Sequence, residues 1–241
     1  MDVSTSESIQ STATRKRTPR RLESVAGSWP IWVKVAASIV LISGPVAQLI
    51  DRALYDMSNS YVSLFRAYSA NPGAVNIGAV AGMLAPALLI GAVIIWYRLA
   101  RVRSKVAATI SLVSGVLAFT CLAVMSGYSF SAMGLSEAHL GTPAVADALS
   151  AYAGPPAMFL FATFQITSTL SILAAAWGLW RSHAVSRASV ILLALFIVID
   201  MLEILPIEPH FIGLAAMVLM CISFFTAAPF RDGSAAASIK K

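Results

Sequence analysis

The sequence predicts an all-α integral membrane protein, a single domain in which six transmembrane helices form a bundle with both termini in the cytoplasm. Three observations lead to this prediction. Hydrophobic residues make up 58% of the 241 residues and charged residues only 12%, about half the charged share of a soluble domain. Long apolar runs follow one another along the chain, and the basic residues collect at alternate ends of these runs. This composition excludes an ordinary soluble domain.

The apolar runs set the predicted spans. A transmembrane helix needs about 20 mostly apolar residues to cross about 30 Å of hydrocarbon. The runs that qualify are residues 31–50, 73–97, 106–127, 155–180, 188–206 and 210–229. Residues 29–230 are thus the predicted transmembrane domain, between a disordered basic tail (1–28) and a short C-terminal tail (231–241). Small residues four apart, Gly78 with Gly82 and Ser111 with Gly115, predict close helix contacts.

Lysine and arginine positions predict the orientation. Basic residues fill the N-terminal tail, the loops after spans two and four and the C-terminal tail, whereas the other side carries Arg52 and Arg66. Basic loops stay in the cytoplasm, so the prediction is a multi-pass protein of the cell membrane, from a bacterial source. Indole rings anchor helices at headgroup level. The tryptophans, all predicted at the cytoplasmic interface, are Trp29, Trp32, Trp96, Trp177 and Trp180.

The tail composition also predicts partners. The basic tail is expected to attract anionic lipid headgroups, at about 1 kcal/mol per basic residue near the surface. Because the basic residues lie beside apolar segments, nucleic acid is not an expected partner; a protein partner or a second copy of the chain stays open. In the alternative, residues 18–22 belong to a twin-arginine export signal, whose cleavage would leave five spans. Cys121 and Cys221 lie inside apolar runs and are expected to be packing residues.

Two helices are expected in the outer loops. Between Leu54 and Tyr68, apolar residues recur at helical spacing, which predicts a short amphipathic helix on the outer surface. Thr142 and Pro143 are a typical cap and first helical residue, and they predict a second short helix that ends near Tyr152. These helices either cover the outer mouth of the bundle or only connect its spans.

The ionisable residues near the end of span five are the candidate site. Asp200 follows twelve residues of the span and therefore lies about 18 Å from the inner boundary, in the outer half of the hydrocarbon. An ionised acid at a helix centre costs about 2.5–3.5 kcal/mol on insertion scales. Asp200 and Glu203 share one helix face, and that face is expected to meet protein or water. The short outer turn after them carries Glu208 and His210.

Three interpretations of this site stay open. In the first, the acids pair with Arg52 or Arg66, or with hydroxyls such as those of Ser126 and Ser129, and so dock span five against span one. In the second, they line an outward-facing cavity that handles protons or a solute, and in the third they bind a metal. If these residues bind a metal, with His139 as a further ligand, the chain would be a membrane-embedded metal-dependent hydrolase. The sequence favours a non-enzymatic role, without a cofactor, catalytic residue or metal ligand. The candidate polar site comprises Arg52, His139, Asp200, Glu203, Glu208 and His210.

Two segments carry a resemblance to a family. The run Asn71-Pro72-Gly73-Ala74-Val75-Asn76-Ile77-Gly78 opens span two, and Pro206-x-Glu208-Pro209-His210 forms an outer turn. In both, the chain resembles uncharacterised six-helix bacterial membrane proteins of a domain-of-unknown-function type. It departs from their pattern in two ways, because its acidic turn follows span five instead of span three and Val75 replaces an aromatic residue. The resemblance implies six helices and no assigned role.

Overall fold

The computed structural model describes residues 23–54, 61–202 and 208–229, apart from the side chains of residues 23, 24, 152, 153, 228 and 229. Within these ranges the regular secondary structure is helical, except for two strands of two residues each, and the predicted all-α class is confirmed. The helices are α1 (Ile31–Leu54), α2 (Tyr61–Ala70), α3 (Pro72–Ala100), α4 (Lys105–Glu137), α5 (Pro143–Ser182), α6 (Arg187–Leu202) and α7 (His210–Thr226), with a 3-10 helix at Val25–Ser28. The strands β1 (Glu23–Ser24) and β2 (Ala228–Pro229) pair in parallel.

Four helices in the described part of the chain are long and apolar enough to cross a membrane. They are α1, α3, α4 and the segment Gly154–Ser182 of α5, and they coincide with the first four predicted spans. The helices α6 and α7 have 16 and 17 residues, or about 24–26 Å at 1.5 Å per residue. The predicted fifth span runs into residues 203–207, which lie outside the described residues.

The helices form a closed ring. Each of α1, α3, α4, α5, α6 and α7 packs against the next, α7 packs against α1, and α3 also contacts α5. The strands β1 and β2 pair, and the Trp29 ring lies 5.6 Å from that of Phe224. The chain therefore enters α1 and leaves α7 at one end of the bundle, which we call the terminal end. The opposite end holds the last turn of α1, the end of α6 and the start of α7.

Glycines and serines allow close approach between neighbouring helices. A methyl group built on Gly91 would lie 2.6 Å from Val40 Cγ1, so α1 and α3 pack closely there. Gly115 of α4 faces Ser171 of α5, whose hydroxyl donates a 2.8 Å hydrogen bond to the carbonyl of Ser111. The close helix contact predicted at Ser111 and Gly115 is confirmed, and it joins α4 to α5.

Trp96 departs from the predicted interfacial belt. Its side chain is 2% exposed and belongs to the main core, and in the described part of the chain its indole N–H has no hydrogen-bond partner. Trp96 is buried because its helix, α3, contacts α1, α4 and α5 and therefore has little surface left to face lipid. By contrast, Trp32, Trp177 and Trp180 are exposed at the terminal end, as an interfacial position requires.

The second predicted loop helix is the beginning of a longer one. Thr142 caps it, its hydroxyl accepting a hydrogen bond from the Val145 amide at 3.3 Å, but the helix does not stop near Tyr152. It continues through Pro155 and Pro156 as one element of 40 residues. Proline has a backbone φ compatible with a helix, and packing against α4 along its length holds α5 together. The prediction of a separate short helix was therefore wrong.

The helix α2 covers part of the opposite end. Its Leu64 and Phe65 are buried in a small second core with Met133 of α4 and Ala146 of α5. The predicted amphipathic helix is thus present over Tyr61–Ala70, and its apolar face packs on protein; the first part of the predicted stretch, residues 55–60, lies outside the described residues. This core adds a cap over the ends of α3, α4 and α5, and it leaves the corner between α1, α6 and α7 as a separate region.

Candidate functional site

Three charged or polar side chains meet at the corner between α1 and α7. Arg52 lies in the last turn of α1, whereas Glu208 immediately precedes α7 and His210 begins it. The carboxylate oxygen Oε1 of Glu208 lies 3.9 Å from Nε of Arg52 and within hydrogen-bonding distance of Nδ1 of His210. One carboxylate oxygen therefore lies between a guanidinium group and an imidazole.

The local backbone explains how Glu208 and His210 approach each other. The Glu208 carbonyl accepts a hydrogen bond from the amide of Phe211, and the Pro209 carbonyl accepts one from Ile212. These bonds start the first turn of α7 at a proline, whose fixed φ suits the beginning of a helix. The tight turn places the side chains of Glu208 and His210 on the same side of the chain.

The three side chains differ in exposure. Arg52 is 57% exposed, Glu208 31% and His210 only 5%. The His210 ring packs edge-on against Phe196 of α6, with the centroids 5.6 Å apart. A buried polar group needs a hydrogen-bond partner, and Glu208 supplies one to His210. The three side chains therefore lie in order of depth, with Arg52 at the surface, Glu208 partly buried and the His210 imidazole inside the bundle.

The other predicted site residues fall in different places. Asp200 is half-buried in the last turn of α6, near enough to His210 to act on its charge, as is Arg52. Glu203 lies outside the described residues. His139 is exposed in the turn after α4, with a left-handed φ of 59°, and it makes no ion pair in the described ranges. Within the described residues Arg52 forms its ion pair with Glu208, and the pairing predicted with Glu203 lies outside them.

Asp51 is a further acid that the predicted spans left out, because the first of them ended at residue 50. Its carboxylate faces Gly82 of α3, where a methyl group on the glycine would lie 2.6 Å from Oδ1. The hydroxyl of Ser126 in α4 donates to the Gly82 carbonyl at 3.4 Å. The sequence did carry a signal, since Asp51 continues the helical spacing of Leu41 and Gly44, two residues of the buried face of α1.

The described residues do not supply a set of ligands for the metal hypothesis. A catalytic zinc ion takes three protein ligands plus water. In residues 23–54, 61–202 and 208–229, no three His, Cys, Asp or Glu side chains come together in a metal-binding arrangement. Glu208 and His210 are adjacent, but His139 is in another part of the opposite end.

The fold indicates the broad class to which the protein belongs. A helical bundle with four helices that are long and apolar enough to span a membrane indicates a membrane-embedded helical protein. No protein-family model matches the chain, and neither a curated protein nor a solved structure matches it. The resemblance to six-helix bacterial membrane proteins therefore stays a prediction. The function has to be argued from the site itself.

Proposed function

We propose that the chain is a six-span protein of the cell membrane, with both termini in the cytoplasm, and that its outer end carries a non-enzymatic proton-binding site at Glu208 and His210. The exposed apolar side chains of α6 and α7 support the count of six. They recur every three or four residues along α6, and they are present near both ends of α7, as lipid contact requires. These side chains are Ile191, Leu195, Val198, Leu202, Phe211, Val218, Ile222 and Phe225.

The orientation is supported by the position of the basic residues. The terminal end carries Arg98, Arg101, Arg103, Arg181 and Arg187, all exposed, and basic residues at helix ends mark the cytoplasmic side. The paired strands β1 and β2 bring both ends of the bundle's chain to that same end. An even number of spans requires this arrangement.

Cysteine labelling tests the topology. The native Cys121 and Cys221 are both buried and can be replaced by alanine to give a cysteine-free background. In intact cells, a membrane-impermeant maleimide is expected to label His139→Cys and to leave Arg103→Cys unlabelled until the membrane is permeabilised. Ser186→Cys, in the loop between α5 and α6, is expected to behave like Arg103→Cys. Labelling of Arg103→Cys in intact cells would show that the orientation is the opposite of the proposed one.

The proton-binding role rests on one observation, the buried imidazole of His210 beside the partly exposed carboxylate of Glu208. Histidine is the side chain that changes charge near neutral pH. The charged groups acting on it are Arg52 from α1, Asp200 from α6 and Glu208 itself. A neutral imidazole keeps only its hydrogen bond to Glu208, whereas a protonated imidazole attracts the carboxylate more strongly and repels the Arg52 guanidinium. Protonation would therefore change the contact between α1 and the start of α7.

Nuclear magnetic resonance of labelled histidine tests this role directly. The chain has three histidines, and the variants His139→Gln and His183→Gln assign their signals. We expect the His210 signal to change with pH as the ring gains a proton, and we expect Glu208→Gln to change the pH at which it does so. Arg52→Gln is expected to change that pH in the opposite direction, because the Arg52 charge disfavours the protonated ring whereas the Glu208 carboxylate favours it. A His210 signal that does not change with pH would rule out the proton-binding site.

A further inference from the structure

A second polar surface lies at the terminal end, where α5 turns into α6. The last turn of α5 exposes Trp177, Trp180 and Arg181, and α6 begins with the exposed Arg187. The Arg181 guanidinium lies 5.8 Å from the centroid of the Trp177 ring, and that of Arg187 lies 5.1 Å from the Trp180 ring. Within the described residues, two arginines are thus stacked on two neighbouring tryptophans.

The turn between these helices is held by hydrogen bonds. The Ser186 amide donates to Ser223 Oγ of α7 at 3.0 Å, and the Ser186 hydroxyl accepts from the amide of Ser189 at 3.2 Å. The Ser182 hydroxyl donates to the Leu179 carbonyl and accepts from the Ala184 amide. The two guanidinium groups therefore project from a fixed backbone and are partly ordered before any ligand arrives.

We infer that this surface, Trp177, Trp180, Arg181 and Arg187, binds the headgroup of an anionic phospholipid in the leaflet at the terminal end. Two guanidinium groups match a phosphate, because their planar N–H donors bind its oxygens in pairs. Tryptophan rings occupy the headgroup level of a membrane, so the two arginines stacked on them lie at the depth of the lipid phosphates. The inference rests on the proposed membrane position of α5 and α6, but not on the proton-binding site.

Lipid binding by the purified protein tests this inference. Native mass spectrometry in a neutral detergent would measure the affinity for phosphatidylglycerol and for phosphatidylcholine. One basic residue near an anionic surface contributes about fivefold in affinity, so Arg181→Gln with Arg187→Gln is expected to weaken phosphatidylglycerol binding about 25-fold. Phosphatidylcholine binding should change little. Because both arginines are exposed, the melting temperature of this variant is expected to equal that of the wild type.

Two control variants distinguish a specific lipid site from non-specific attraction by the basic residues at the terminal end. Arg98→Gln with Arg103→Gln removes the same charge from the same end, at exposed arginines that stack on no aromatic ring of the described residues, and is expected to change the affinity less than threefold. Trp177→Leu with Trp180→Leu keeps every charge but should still weaken phosphatidylglycerol binding. Equal losses in the two arginine pairs would overturn the inference. Displacement of the lipid by millimolar inorganic phosphate would do so too, since it would show a simple anion site.

Discussion

Replacement of Gly115 by alanine is expected to lower the free energy of unfolding by about 1–3 kcal/mol. The added methyl group would lie 2.6 Å from Ser171 Oγ and 2.8 Å from Val93 Cγ2. Val93 is β-branched and turns away only at a cost, and Ser171 would have to give up its hydrogen bond to the Ser111 carbonyl. The loss would therefore fall on the contacts that hold α4 against both α3 and α5.

The same helix supplies the matched control. Gly127 and Gly134 also lie in α4, but a methyl group on either would meet nothing within 4 Å. Alanine there is expected to raise the stability by about 0.5–1 kcal/mol, because glycine loses more backbone entropy in a helix. In detergent, 1 kcal/mol corresponds to about 2–4 °C in the melting temperature of a chain this long. If Gly115→Ala and Gly127→Ala shifted that temperature equally, the close packing at Gly115 would be refuted.

Replacement of Glu208 by alanine is expected to cost about 1–3 kcal/mol of stability, because it leaves the buried His210 imidazole without its hydrogen-bond partner. Arg52→Ala is expected to cost less than about 1 kcal/mol. Its guanidinium is more than half exposed and 3.9 Å from the carboxylate, and exposed ion pairs contribute little. Both variants can be compared by thermal unfolding in the same detergent.

The conservative variant Glu208→Gln separates the hydrogen bond to His210 from the ion pair with Arg52. Glu208→Gln keeps an oxygen that accepts from the His210 ring but removes the charge that attracts Arg52. It is therefore expected to be more stable than Glu208→Ala. The assignment of Glu208 as the partner of His210 would fail if Arg52→Ala proved as destabilising as Glu208→Ala. It would also fail if Glu208→Ala melted like the wild type.

Several features of the site could be predicted because they depend on local spacing. Asp200, Glu208 and His210 were recognised as a group, since charged side chains between apolar runs need shelter from lipid. Asp51 was not, because the end of span one was set four residues too early. The partner of Arg52 could not be chosen either. That choice depends on α7 packing beside α1, a contact between residues more than 150 positions apart in the chain.

Composition and periodicity by themselves determined the helical class, the first four segments that are long and apolar enough to cross a membrane, and the tryptophans exposed at the terminal end. These properties follow from the energy of single helices in lipid, which local sequence sets. Only the tertiary structure decided that α5 continues through two prolines, that Trp96 lies in the core and that Glu208 joins Arg52 to His210. Each of these depends on which helices are neighbours in the ring, and that order is set by packing between distant residues.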